Sequence, residues 1–238
     1  MALILSLETS ETLCSVALSD GNILLGFMES RTEKSHASML TILIDRLLAS
    51  KEIKMNQLDA VAVSKGPGSY TGLRIGVSVA KGICYAIQIP LIALTTLDFM
   101  RFGIEKNDVF IKFKKINPDF LICSMIDARR MEVYRLIQTK EGEIVEEVGA
   151  EEITSQSFEK ILVTHKILFI GSGADKCHGI LKSPHAFFIE GIYPHASQMV
   201  LLAWQKFEKQ EFENLAYFEP FYLKDFVALT SKKKIFGF

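Results

Sequence analysis

Glu8, Gly66, Gly68, Ser69, Asp127, Gly171 and Gly173 are the residues whose types and spacing fit chemistry on a nucleotide in this 238-residue chain. Glu8 and Asp127 each close an apolar run, where a carboxylate can face a metal ion or a phosphate. Gly66-Pro67-Gly68-Ser69 and Gly171-Ser172-Gly173 each punctuate the step from an apolar run to a helical pattern. A helix start offers unbonded N–H groups and the positive end of a dipole to an anion. Each place also has a plainer reading: polar strand ends with local turn hydrogen bonds, and a tight turn capped by Ser69 or Thr71. The run from Gly66 is not a P-loop, because no Gly-Lys-Ser/Thr follows at the required spacing. It is not a nucleophile elbow either, since Pro67 and Thr71 stand where G-x-S-x-G needs glycine.

Metal-ligand spacing is missing. His36 is followed four residues later by Leu40, and His165, His178, His185 and His195 form no i, i+4 pair. There is no H-E-x-x-H motif and no Ser/His/Asp grouping, so hydrolysis of peptides is not expected. Cys14, Cys84, Cys123 and Cys177 are scattered and read as reduced, buried thiols. No resident metal or cofactor is expected.

These residues need elements to hold them. A strand over 60–63 feeds the glycine turn, and a helix over 70–87 follows. On its wheel Gly72, Gly76, Ala80 and Cys84 line up as a small-residue stripe with Leu73 and Val77 beside it. That helix is apolar nearly all round, which predicts burial on two sides, one in the core and one against a partner. A second amphipathic helix over 35–49, starting after Ser35, carries Leu40, Leu43, Ile44, Leu47 and Leu48, broadened by Met39 and Ile42. Its excess apolar surface points the same way.

The first three strands are expected at 3–7, 13–18 and 23–27, with Asp20-Gly21-Asn22 as a hairpin turn. A strand at 91–94 completes a β-β-β-α-β-α-β order. A similar order recurs: strands at 120–126, 131–138 and 143–148, a helix at 155–163, a strand at 167–170, then the glycine-opened helix. The divisions read as a first half to residue 100, a linker or short helix over 101–119, a smaller second half over 120–195, a helix over 196–212 crossing back to the first half, and a terminal segment over 213–238. Lys232, Lys233 and Lys234 make a basic knot read as a solvated tail. With 27 basic and 28 acidic residues there is no global attraction to nucleic acid. No apolar run is long enough to span a bilayer, and a cytoplasmic location is expected.

Four stretches carry a family resemblance. They are Leu7-Glu8-Thr9-Ser10, the run from Gly66 to Gly76, Asp127-Ala128-Arg129 with Glu132-Val133-Tyr134, and Glu219-Pro220-Phe221-Tyr222-Leu223-Lys224. Together they resemble the bacterial TsaB (YeaZ) family, which implies an actin-like ATPase fold of two βββαβα-type halves. It further implies a non-catalytic accessory subunit for TsaD, the enzyme that transfers threonylcarbamoyl to N6 of adenosine 37 in tRNAs decoding ANN codons. TsaC makes the adenylate and TsaE joins the TsaB–TsaD pair. Partner contact is implied through the two helices packed as a four-helix bundle, with homodimers as the self-associated form and tRNA met only through the complex. On that reading Met39, Leu40, Leu43, Leu47, Gly72, Leu73, Gly76, Val77, Ala80 and Cys84 are the interface residues. An actin-like ATPase or small-molecule kinase using Glu8, Asp127 and the two glycine turns is the alternative. The chain departs from the family pattern in having Arg130-Met131 where a glycine is usual before Glu132, and Glu8 where many members have Asp.

Overall fold

The computed structural model describes residues 2–31 and 36–223. Ser35, Lys224 and the basic tail therefore lie outside the described residues. Three antiparallel strands come first: β1 (Leu3–Glu8), β2 (Cys14–Asp20) and β3 (Ile23–Ser30). The β2–β3 turn needs a left-handed residue, and Gly21 supplies it at φ +57°. Then α1 (His36–Ser50) leads to β4 (Ala60–Gly66), parallel to β1, and α2 (Tyr70–Ile87) leads to β5 (Leu91–Thr95), parallel to β4. The sheet order is β3-β2-β1-β4-β5.

Strand alternation gives this sheet two apolar faces. Leu5, Leu7, Val61 and Val63 pack beneath both helices, against Leu40, Leu43, Leu47, Val77, Ala80 and Cys84. Ile4, Ala60, Ala62, Ile92 and Leu94 face the other way.

The stretch read as a linker or short helix is helical over 108–116. Ahead of that helix, α4 (Asp108–Ile116), come α3 (Thr96–Phe99) and a 3-10 turn (Met100–Ile104). Asn107 caps α4 by accepting from the Val109 and Phe110 N–H groups. Leu97, Met100, Ile104 and Phe110 join the core of the second sheet. That sheet contains β6 (Leu121–Asp127), β7 (Glu132–Thr139) and β8 (Ile144–Glu152), then α5 (Glu159–Leu162), β9 (Ile167–Ile170), α6 (Ser172–Cys177) and β10 (Ala186–Ile189). Its order, β10-β9-β6-β7-β8, repeats the first sheet's connectivity. Two such halves make the actin-like α/β architecture. The strand β10 has no counterpart in the sequence reading, because Ala186–Ile189 is too short to show a period.

The chain then returns to the first half. A 3-10 turn (Ala196–Met199) and α7 (Val200–Glu208) cover the second face of the first sheet through Ala196, Met199 and Ala203. Beyond α7 an extended segment runs back along α2. Glu213 N donates to Leu91 O at 2.9 Å, Lys81 Nζ donates to the carbonyls of Ala216 and Phe218, and Phe221 N donates to Lys65 O at 2.7 Å. Leu215 and Phe218 tuck into the core under α1 and α2. Among the described residues, no helix is long and apolar enough to cross a membrane.

Candidate functional site

The glycine turn between β4 and α2 is pressed onto the end of β1. Ser69 N donates to Ser10 O at 2.6 Å, and Ser69 Oγ accepts from Gly72 N at 3.3 Å, which caps the helix. A side chain at Gly68 would meet Ser10, and one at Gly66, whose φ is +113°, would meet the Phe221 carbonyl. Thr9 is fully buried, and its hydroxyl donates to Gly72 O at 2.8 Å. Gly72 and Gly76 have no room for a Cβ because Thr9 occupies it. Glycine is required here for close approach to β1.

Glu8 is completely buried at this junction, with Oε1 accepting from Ser10 N at 2.5 Å. Burial pushes its carboxyl up to about 7, partly offset by Ser10 and Ser64 close by. In the second half Asp127 ends β6. Its Oδ1 accepts from Arg129 N at 2.7 Å and from Lys176 Nζ at 2.5 Å, and Lys176 also donates to the carbonyls of Arg130 and Glu132. Gly171, at φ +100°, and Gly173 lie against β6 at Met125, again where a side chain would collide.

The two groups of cleft residues meet through residues the sequence reading did not single out. Ser172 Oγ donates to Glu11 Oε1, which ties α6 of the second half to the β1–β2 turn of the first. Glu11 is also pushed up to about 7, first by burial and then by the charges of Glu8, Asp127 and Asp175. Asp175 accepts from Tyr193 Oη at 3.2 Å. The one available signal for Glu11 was its place three residues after Glu8. Glu8, Gly66, Gly68 and Ser69 thus form one cluster, and Asp127, Gly171 and Gly173 another. Both turns direct much of their polar chemistry at the chain's own groups. Among the described residues, no three His, Cys, Asp or Glu side chains stand close enough to hold a metal ion.

Most of the interface residues read from the sequence face the chain's own core. Leu40, Leu43, Leu47, Gly72, Leu73, Gly76, Val77, Ala80 and Cys84 are all buried within the chain itself. Only Met39 of that set is half-exposed. The small-residue stripe lets α2 approach its own sheet at Thr9, rather than a second protein. What faces outward is a different set. Ile42 on α1 is 40% exposed; on α2, Ile75 and Val79 are half-buried, Ser78 and Ala86 are exposed, and Tyr85 is 73% exposed. Gly82 also lies on this face, and nothing comes within 4 Å of the place its Cβ would take.

A family model described as TsaD: tRNA N6-adenosine threonylcarbamoyltransferase matches residues 21–232. The tRNA threonylcarbamoyladenosine biosynthesis protein TsaB of Escherichia coli is 26% identical, covering 94% of this chain and 96% of that protein. The TsaB protein of Buchnera aphidicola from Acyrthosiphon pisum is 30% identical over 69% of each chain. The chain belongs to the TsaB family. A solved Pseudomonas aeruginosa structure, described as an uncharacterized protein with similarity to peptidase YEAZ, superposes with a TM-score of 0.79. It is 24% identical, covers 94% of this chain and is itself covered in full, and it agrees in fold. In this TsaB-family chain three of the four signature stretches converge on one point. Thr9 and Ser10, the glycine run, and Phe221 and Tyr222 all meet at the first turns of α2. The fourth stretch lies across the cleft, where Lys176 holds Asp127.

Proposed function

We propose that this chain is the non-catalytic subunit of a threonylcarbamoyl transferase complex, binding a TsaD enzyme through the outward faces of α1 and α2. TsaD would carry out transfer to N6 of adenosine 37 in tRNAs decoding ANN codons, with TsaC supplying the adenylate and TsaE joining the pair. This chain would hold TsaD in its active arrangement, self-associate through the same face when TsaD is absent, and meet tRNA only through the complex.

The observation that supports this reading is the apolar outward face of α1 and α2. At the cleft Ser10, Thr9, Lys176 and Ser172 bond the chain's own Ser69, Gly72, Asp127 and Glu11, and Glu8 Oε2 and Glu11 Oε2 are buried without a hydrogen-bond partner among the described residues. The helix face, by comparison, leaves Ile42, Tyr85 and the open Gly82 exposed beside half-buried Ile75 and Val79. Small residues flanked by branched apolar ones allow another helix to pack closely.

Calorimetric titration with the cognate TsaD tests it. The wild-type chain should bind, and Ile42→Glu or Gly82→Gln should each weaken binding about tenfold or more while melting as the wild type does. A chain that fails to bind TsaD, or variants that bind unchanged, would refute the reading. Tight Mg-ATP binding by the isolated chain would favour the kinase alternative.

A further inference from the structure

Arg74 stands on the exposed side of α2, about one turn from its start, and its guanidinium is held in place. Nε donates to Tyr222 Oη at 3.2 Å, and the guanidinium carbon lies 4.2 Å from the centre of the Tyr70 ring. The Tyr70 and Tyr222 rings lean on each other at 4.8 Å between centroids. Tyr222 reaches this place because the returning segment is fastened along α2, by Lys81 at Ala216 and Phe218 and by Lys65 O at Phe221 N. The two Nη groups have no bonded acceptor among the described residues. A cation on a long, flexible stem has thus been oriented by residues from distant parts of the chain, with its planar fork uncommitted.

We propose that Arg74 is the anchor for a carboxylate on the protein partner that covers the α1–α2 face, an inference that rests on the function proposed above. A guanidinium fork matches a carboxylate with two parallel hydrogen bonds, and fixing it beforehand removes much of the ordering cost of binding. Phosphate offers the same fork geometry, but the surroundings favour a single carboxylate. Glu219 is close enough to act on Arg74 electrostatically and would repel a polyanion. Recognition of a nucleic-acid backbone gathers several cations. Among the described residues around Arg74, Thr71, Ser78 and Gly82 face outward on α2 with half-exposed Ile75, the Lys81 ammonium is committed to the Ala216 and Phe218 carbonyls, and Phe221 is 41% exposed alongside. One charge set among small and apolar contacts is the composition of a protein–protein anchor.

The test compares Arg74→Lys, which keeps the charge but loses the fork, with Tyr222→Phe, which keeps the ring but loses the hydroxyl. Each full-length chain is titrated with the cognate TsaD, with melting curves measured in parallel. Arg74→Lys should bind about tenfold more weakly and Tyr222→Phe a few-fold more weakly, both melting as the wild type does. Unchanged affinity of Arg74→Lys, with the wild type binding normally, overturns this inference and leaves the proposed function standing. No binding by the wild type removes both. If Arg74→Lys keeps its TsaD affinity but the complex retains tRNA less well, Arg74 is a phosphate contact and the inference fails. A loss of affinity that only follows a lowered melting temperature overturns it as well.

Discussion

Gly76 and Gly82 sit on different faces of one helix, and adding a methyl group to each should have opposite effects. In mid-helix, Gly→Ala by itself stabilises by about 0.5–1 kcal/mol, through reduced backbone entropy in the unfolded chain. At Gly82 nothing opposes that gain, because no atom lies within 4 Å of the new Cβ. At Gly76 the methyl group would occupy the place of Thr9 Oγ1. Thr9 is fully buried, and its hydroxyl bonds Gly72 O at 2.8 Å. Moving it leaves a buried polar pair unmatched, about 1–3 kcal/mol, and overpacking adds roughly 1–3 kcal/mol. The net for Gly76→Ala is a loss of about 1–5 kcal/mol, centred near 3. At roughly 2–4 °C per kcal/mol for a chain of this size, its melting temperature should fall by about 5–15 °C, while Gly82→Ala should raise it by about 2 °C. Calorimetric or circular-dichroism melts of the two variants, with Thr9→Ala and the Thr9→Ala/Gly76→Ala double variant, complete a cycle. The double variant should recover part of the Gly76→Ala loss, because the group in the way is gone. If Gly76→Ala melts at or above the wild type, or if Thr9→Ala gives no recovery, the inward packing of the stripe is wrong.

Three further outcomes follow from the same geometry. Glu8 has a folded pKa near 7 against an unfolded value of 4.5, so its contribution is full below about pH 4.5 and is lost as pH rises to about 7. Urea unfolding across that range should show stability declining by about 3 kcal/mol from this group, with a similar share from Glu11, whose carboxyl is raised alike, so Glu8→Gln should remove about half of the decline; a wild-type profile that rises there contradicts the burial argument. Arg129 and Arg130 hold positive φ angles of 71° and 49° in the β6–β7 turn, so Arg130→Gly, restoring a glycine to that turn, should raise the melting temperature by a degree or two, and a lowered one would show that no strain is held there. Phe218→Ala should cost about 2 kcal/mol by unpacking the returning segment from α2, visible as faster proteolysis between residues 209 and 223; unchanged cleavage would mean the segment is held without it.

The sequence was most legible where the physics was local. Strand alternation, the Asp20-Gly21-Asn22 turn and the leucine spacing of α1 marked their elements to within a few residues. The stripe on α2 shows where that legibility stops. Four small residues at helical spacing announce a close approach, but not what approaches, and the answer is Thr9, more than sixty positions away in the chain. The cleft divides in the same way. Glu8 and Asp127 could be picked out as carboxylates closing apolar runs, whereas Glu11 and Ser172 gain meaning only when two halves face each other. The charges of the segment at 101–119 left a linker and a short helix equally open. Its helical character rests on Phe110 and Ile104 finding the second sheet, which no local pattern specifies.

The return of the chain to its own beginning also sets an order of assembly. The face of the first sheet made by Ile4, Ala60, Ile92 and Leu94 is sealed by Ala196, Met199 and Ala203. During synthesis the N-terminal half leaves the ribosome first, yet it holds an uncovered apolar face until more than two hundred residues have been made. The second sheet has its strands and the α3–α4 cover already translated by then. The half that starts first is therefore finished last, and a chain broken off before residue 196 would leave that apolar face uncovered.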